Sequence, residues 1–150
     1  ASMKKEDKDI ITGIMALEPV MFNASLVSAQ TRKRYFWTNI QFDLPDDKGI
    51  LLKDILQPDA EVDERMVNKD GKSYTLTASY NGAYEKNSVE KKQRTMVKVG
   101  HIIRKLTPIE CERLQSLPNN YTEGIAMTQR YKCLGNAFNV EVIAHILKSI

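Results

Sequence analysis

Clusters of positive charge are the feature of this sequence with the clearest chemical potential. Lysine and arginine neutralise phosphate groups, and the planar arginine fork also holds paired acceptor atoms. The net charge is only +3, but the cations gather in three places: Arg32 to Arg34, Lys86 to Arg94, and Arg104 with Lys105. Together these clusters are a weak signal for an anionic partner, and a solvated surface is the better explanation of any one cluster taken alone.

The sulfur and imidazole groups form no recognisable site. Cys111 and Cys133 have no CxxC partner and no histidine at the spacing of metal ligands, so we expect reduced, structural thiols and no zinc site. His101 and His145 belong to no catalytic constellation. We therefore assign neither histidine a catalytic or metal-binding role.

Composition bounds the class of protein. With 150 residues, 42% of them hydrophobic and 27% charged, the chain has the size of one globular domain, or of a piece of something larger. No apolar run approaches the roughly 18 residues of a membrane span, and no signal peptide opens the chain, so we expect a cytoplasmic protein. Ala1 and Ser2 before Met3 resemble a remnant of expression.

The first 42 residues predict a fragment of an α/β layer. Apolar residues at helical spacing predict a helix over 5–17. Val20–Phe22 reads as a short buried strand, and the aromatic and β-branched run Arg34–Ile40 reads as another.

The middle of the chain, Asp43–Gly100, changes character. Turn signals recur at Pro45, Asp70-Gly71 and Asn81-Gly82, and Ser73–Ser79 alternates like a strand. We therefore predict a small, irregular, mostly β insert, followed by strand-like residues over Met96–Ile103.

The C-terminal third predicts three helices with defined ends. Thr107, Pro108 and Glu110 form a capping box with proline at the first helical position, before an apolar stripe that runs to Leu117 and ends at Pro118. A short helix near Thr128–Leu134 is expected to stop at Gly135, and Asn139 is expected to cap the last helix.

Three segments resemble conserved motifs of the DNA cytosine-5 methyltransferases. "QTRKRYFW" (30–37), "RKLTPIECERLQSLPNNY" (104–121) and "YKCLGNAFNVEVIAHIL" (131–147) are similar to motifs VIII, IX and X, in that order. The resemblance implies an α/β fold: the C-terminal part of a Rossmann-like domain with a small irregular β-rich insert. Residues 1–42 would end the catalytic domain, 43–103 would form the target-recognition domain, and 104–150 would carry motifs IX and X.

The resemblance also implies roles for individual residues. Arg34 would steady a cytosine flipped out of the duplex, and Arg32 would meet phosphates, with Gln30 beside them. Thr75 and Leu76 resemble the Thr-Leu pair of the recognition loop.

Two further residues take roles from motifs IX and X. Arg104 would stand at the hinge between the two domains, within the DNA-binding set. Asn136 would contribute to the S-adenosylmethionine pocket, and an ordinary helix cap is the alternative for its Gly-Asn pair.

Other hallmarks of that family are absent from this sequence. It has no Phe-x-Gly-x-Gly turn for the cofactor, no Glu-Asn-Val motif and no Pro-Cys dipeptide that would carry the nucleophile. We therefore expect the isolated chain to be inactive. Its expected partners are double-stranded DNA and a separate N-terminal catalytic portion. The chain would be a fragment, the smaller subunit of a split enzyme, or a non-enzymatic DNA-binding module. Its strands would pair with that portion or with a second copy.

Overall fold

The computed structural model describes residues 3–150, and its first element is a solvent-exposed helix, α1 (Lys5–Met15). Glu6 and Asp7 lie in its first turn, where their charge complements the helix dipole. Ala16 ends the helix in the left-handed conformation. The predicted helix is confirmed, although Ile14 and Met15 remain largely exposed.

Strands β1 (Val20–Asn23) and β2 (Lys33–Phe36) form an antiparallel pair in which Phe22 lies opposite Arg34. Both predicted strands are confirmed, but β2 ends four residues before Ile40. The pair packs on the C-terminal helix α5 (Val140–Leu147), where Phe22 meets Val142 and Ile146 in a small core.

A second sheet has three short antiparallel strands: β3 (Glu61–Val62), β4 (Met96–Val99) and β5 (Ile102–Lys105), in the order β3-β4-β5. Gly100 has a φ of 58° in the turn that joins β4 to β5. A glycine suits this turn because a side chain disfavours the left-handed region.

The rest of the insert consists mainly of single turns, with one short helix, α2 (Glu85–Val89). The strand predicted over Ser73–Ser79 is wrong. Among the described residues this segment forms one isolated bridge, between Gln30 and Ser73, and no regular ladder. Side chains hold it instead, because Thr95 accepts a hydrogen bond from the Tyr74 N–H and Thr75 donates one to the Thr31 carbonyl.

Helices α3 (Pro108–Leu114) and α4 (Met127–Asn136) cover the main core. The predicted capping box is present: the Glu110 N–H donates to the Thr107 hydroxyl at 3.3 Å, and the Thr107 N–H donates to the Glu110 carboxylate at 2.8 Å. Helix α3 stops before Leu117, because Ser116 takes a left-handed conformation with a φ of 59°. The core contains Leu52, Leu76, Tyr80, Val97, Leu106, Leu114, Tyr131 and Leu134.

Gly135 lies inside α4 instead of ending it, which corrects the prediction from the sequence. A β-carbon at this position would lie 2.1 Å from the carbonyl carbon of Thr77 and 2.2 Å from the nitrogen of Ala78. The glycine is therefore required by close backbone contact with the insert. The Asn139 cap of α5 is confirmed, since its side-chain oxygen accepts from the Val142 N–H at 3.2 Å.

None of the helices within residues 3–150 has the length and apolar character needed to cross a membrane.

Gly135→Ala should destabilise the protein by about 3 kcal/mol, because backbone atoms cannot move aside as a flexible side chain can. Gly13→Ala is the matched control, since Gly13 is also helical and has nothing within 4 Å of its would-be β-carbon. There alanine should stabilise by about 0.5–1 kcal/mol. Urea denaturation of both variants measures the difference, and equal effects would contradict the close contact at Gly135.

Candidate nucleic-acid interface

A concave surface of about 520 Å³ lies where β2, the segment Tyr74–Ser79, the segment Lys92–Arg94 and Gly135 meet. Its described lining includes the cations Arg34, Lys92 and Arg94 and no carboxylate. A concave surface lined by one sign of charge concentrates ions of the opposite sign. We call this surface the cationic groove.

Arg34 is the motif VIII arginine that borders the cationic groove. It is half-buried, and one guanidinium nitrogen donates to the Lys33 carbonyl at 2.7 Å. Partial burial lowers the pKa of Arg34. The charge is therefore incompletely hydrated, and an acceptor-rich partner that met its remaining donors would relieve that cost.

Arg32 occupies a different position, in the interior. Its guanidinium donates to the carbonyls of Leu76 at 2.8 Å, Gly135 at 3.2 Å and Ala137 at 2.8 Å, and only 6% of the residue is exposed. Burial, and then the nearby charge of Arg34, lower its pKa to about 10. This geometry disagrees with the phosphate-binding role expected for Arg32, because its guanidinium is buried and already donates to three main-chain carbonyls.

Gln30 is also internal. Its amide donates to the Leu114 carbonyl at 2.7 Å and to the Gln115 side chain at 3.0 Å, and its oxygen accepts from the Leu76 N–H at 3.4 Å. The residue is completely buried, so its side chain supports the segment Tyr74–Ser79 from the interior.

The Thr-Leu pair divides between surface and core. Thr75 borders the cationic groove and donates its hydroxyl to the Thr31 carbonyl at 2.6 Å. Leu76 has its side chain in the main core, and its backbone holds Arg32 and Gln30. Thr75 therefore faces the groove, and Leu76 anchors this part of the groove wall in the main core.

The segment Lys92–Arg94 is the end of the charge cluster Lys86 to Arg94, which matches no motif, and this end lines the groove. Lys92 and Arg94 both have left-handed backbones, with φ of 52° and 55°. Such residues cost roughly 1–3 kcal/mol each and recur at functional sites. Arg94 is anchored to the Gly82 carbonyl at 2.9 Å and to the Ser79 hydroxyl at 2.8 Å.

Arg104 is absent from the lining of the cationic groove. It forms a paired contact with the buried Glu110 carboxylate, at 2.8 and 3.0 Å, and lies 3.8 Å from Asp59. Burial alone would raise the pKa of Glu110, but hydrogen bonds from Arg104 and from the N–H groups of Gln57 and Thr107 outweigh it and lower the pKa. The contact fixes Arg104 against the first turn of α3, and a further donor bonds to the Lys105 carbonyl at 2.9 Å.

The remaining candidates are separate from the groove lining. Asn136 is exposed at the last position of α4. Cys111 is completely buried, and burial raises the pKa of its thiol well above the ordinary value, which disfavours the reactive thiolate. Cys133 is exposed on α4. Among residues 3–150, no group of three or more His, Cys, Asp or Glu side chains is placed to hold a metal ion.

Comparison with known proteins identifies the family. Residues 60–150 match the family described as C-5 cytosine-specific DNA methylase. The match covers more than half of the chain, and the chain therefore belongs to the C-5 cytosine-specific DNA methylases.

Curated relatives are much longer than this chain. It is 38% identical over 95 residues to the type II methyltransferase M.Sau3AI of Staphylococcus aureus, a match that covers 55% of this chain and 23% of the relative. It is 45% identical over 42 residues to the DNA (cytosine-5)-methyltransferase DRM2 of rice, Oryza sativa subsp. japonica, covering 28% of this chain and 7% of the relative.

Solved structures support the fold. The methyltransferase EhMeth of Entamoeba histolytica aligns with a TM-score of 0.61 and 18% identity, over 94% of this chain and 56% of the other. The Dnmt2 methyltransferase of S. pombe aligns with a TM-score of 0.55 and 15% identity, over 98% of this chain and 62% of the other. The chain thus has the fold of one part of a Rossmann-like methyltransferase.

Glu110→Gln should lower the free energy of unfolding by about 2 kcal/mol or more at pH 7, because it replaces a buried carboxylate that accepts four hydrogen bonds from three residues. The folded-state pKa of Glu110 lies below the ordinary value of 4.5. Its stabilisation is therefore complete above that value and is lost as the pH falls through the lowered folded-state pKa.

Urea denaturation at several pH values measures this effect. The difference between the wild-type protein and Glu110→Gln should shrink below about pH 4.5. Glu90→Gln is the control, since Glu90 forms only an exposed pair with Lys86 at 3.7 Å and should change stability little. A difference for Glu110→Gln that stays constant with pH would contradict the ionised pair.

Proposed function

We propose that this chain is the target-recognition and C-terminal portion of a DNA cytosine-5 methyltransferase, which transfers a methyl group from S-adenosylmethionine to cytosine C5 in double-stranded DNA. The observation that carries the proposal is the cationic groove, where Arg34 of motif VIII, the wall built on Thr75 and the segment Lys92–Arg94 meet in a chain of this family. Duplex DNA supplies the anionic surface that such a groove fits.

Arg34 is the residue of this chain that we place next to the reacting base. Cytosine C5 is unreactive until a thiolate adds at C6, and a stacked base hides both atoms, so the target must leave the helix. The free donors of Arg34 then hold the cytosine O2 and keep the ring oriented. Lys92 binds the phosphate backbone beside it, and the charge of Arg94 adds to the attraction for phosphate.

Gln30, Arg32 and Arg104 act in this scheme as positioning residues. They bond to the carbonyls and carboxylates that hold the recognition segment, helix α4 and the hinge. Their side chains set where Arg34 and Thr75 lie, so their replacement changes DNA binding only by disturbing the structure.

Methyl transfer in this family uses S-adenosylmethionine, and Asn136 fits the edge of its site. The residue is exposed and sits directly after Gly135, so its amide can donate to and accept from a polar ligand. The cofactor supplies the methyl group. Asn136 contributes one polar contact, and the main binding turn must come from another segment, because this sequence contains no Gly-rich turn.

The nucleophile must also come from another segment. An exposed apolar surface borders α1, β2 and α5, where Met15, Tyr35 and Phe138 line a recess of about 360 Å³. This surface suits a catalytic portion that carries the Pro-Cys dipeptide, either in the same polypeptide or as a separate subunit. One alternative is that a second copy of the chain covers this surface. Another is that the chain is a DNA-binding module without catalysis.

The isolated chain should not methylate DNA, whereas mixing it with an N-terminal portion from a related enzyme should restore activity. Mass spectrometry of the DNA detects the product. Arg34→Ala in the mixed protein should lower the methylation rate by about 10² or more, as for removal of a preorganised donor. Methyl transfer by the isolated chain would contradict the proposal and require a nucleophile within it.

Arg34→Ala should weaken binding of the 150-residue chain to duplex DNA without changing its thermal stability. Arg32→Ala should do the reverse and lower stability by at least about 2 kcal/mol, because it leaves buried carbonyls without donors. Fluorescence anisotropy and thermal denaturation measure the two effects, with Lys132→Ala as an exposed control on α4. A folded Arg32→Ala that loses DNA affinity as strongly as Arg34→Ala would contradict this division.

A further inference from the structure

Hydrogen-bonding groups along the cationic groove are mostly engaged within the protein. The Tyr74 hydroxyl donates to the Val67 carbonyl, Thr75 donates to Thr31, and the hydroxyls of Thr77 and Ser79 lie 3.3 Å apart. Arg94 donates hydrogen bonds to the Gly82 carbonyl and the Ser79 hydroxyl. These groups shape the groove and have little capacity left for a ligand.

Gln93 is the exception among the neutral polar residues of the groove. It is exposed, it borders the groove, and its carboxamide bonds to none of the residues 3–150. An amide with a free donor and a free acceptor has the pair of groups that a base edge presents. Gln93 therefore differs from its neighbours because both the amide N–H groups and the carbonyl oxygen of its side chain are available to a ligand.

The backbone presents Gln93 in a fixed position. It lies between the two left-handed residues Lys92 and Arg94, and its own N–H donates to the Asn87 carbonyl at 3.0 Å. The anchors of Arg94 hold the far side of the segment. A polar side chain flanked by two cations on a braced segment matches the usual division in which cations position the duplex and a neutral side chain reads it.

We propose that Gln93 is a specificity-determining residue that reads a base in the major groove of duplex DNA. Adenine is the matching base, because its N7 accepts and its N6 amino group donates, as the carboxamide requires. Lys92 neutralises an adjacent phosphate and sets the register. The proposal rests on the proposed DNA-binding function and adds to it the residue that carries sequence preference in this part of the insert.

The test is selection of DNA by the 150-residue chain. The wild-type protein, Gln93→Ala and the control Gln129→Ala each bind a pool of duplexes with randomised positions, and the bound DNA is sequenced. Gln129 is an exposed glutamine on α4 that is absent from the groove lining. Circular dichroism and thermal denaturation verify that all three proteins are folded to the same extent.

The wild-type protein and Gln129→Ala should both enrich adenine at one position, by roughly 5- to 150-fold over other bases, the range of one good paired contact. Gln93→Ala should lose enrichment at that position alone and keep its affinity for non-selected duplex within about twofold, because phosphate contacts supply that affinity.

Other outcomes separate the two proposals. If the wild-type protein binds duplex DNA but enriches no adenine, or if Gln93→Ala keeps the wild-type profile, base reading by Gln93 is overturned while the proposed DNA binding stands. An equal loss of affinity for every sequence in Gln93→Ala overturns it in the same way. If the wild-type protein binds no duplex DNA, the proposed function fails and this inference fails with it.

Discussion

The buried guanidinium of Arg32 is the interaction on which the rest of the structure depends. It bonds to Leu76 in the insert, to Gly135 in α4 and to Ala137 before α5, and so joins segments far apart in the chain. Burying a charge is costly unless its donors are satisfied, and here main-chain carbonyls satisfy them. These hydrogen bonds fix the position of the insert relative to β2.

Gly135 makes that position possible. Arg32 can reach both Leu76 and Ala137 only if the insert approaches α4 closely, and the backbone of Thr77 and Ala78 fills the space that a β-carbon would need. The wall of the cationic groove is thus a stretch of backbone pressed against a helix. Arg34, two residues along the chain from Arg32, then faces the groove that its neighbour helps to shape.

Local signals were enough to predict the helix caps. Thr107 and Asn139 act through hydrogen bonds within three residues, so their sequence patterns determine the structure directly. Non-local contacts explain the errors. Alternation over Ser73–Ser79 suggested a strand, but side chains from distant segments hold it, and Gly135 resembled a helix stop because its backbone neighbour lies in the insert.

The motif VIII arginines show the limit of sequence reasoning at the site. Arg32 and Arg34 are equally charged and two residues apart, and only the fold shows that one is bonded inside and the other borders the groove. Gln93 carries no sequence signal for a related reason. It sits among lysines that looked like a solvated cluster, and its free amide becomes evident only when its neighbours' partners are known.

Hydrogen–deuterium exchange with and without duplex DNA tests the central claim most directly, namely that the cationic groove is the DNA-binding surface of this chain. The account predicts that DNA slows exchange over residues 74–79 and 91–95, while the surface around Leu51, Lys53 and Glu64, which borders a second recess that meets the groove at Asn68, stays unchanged. Slowed exchange at that separate surface with no change at residues 74–79 and 91–95 would contradict it.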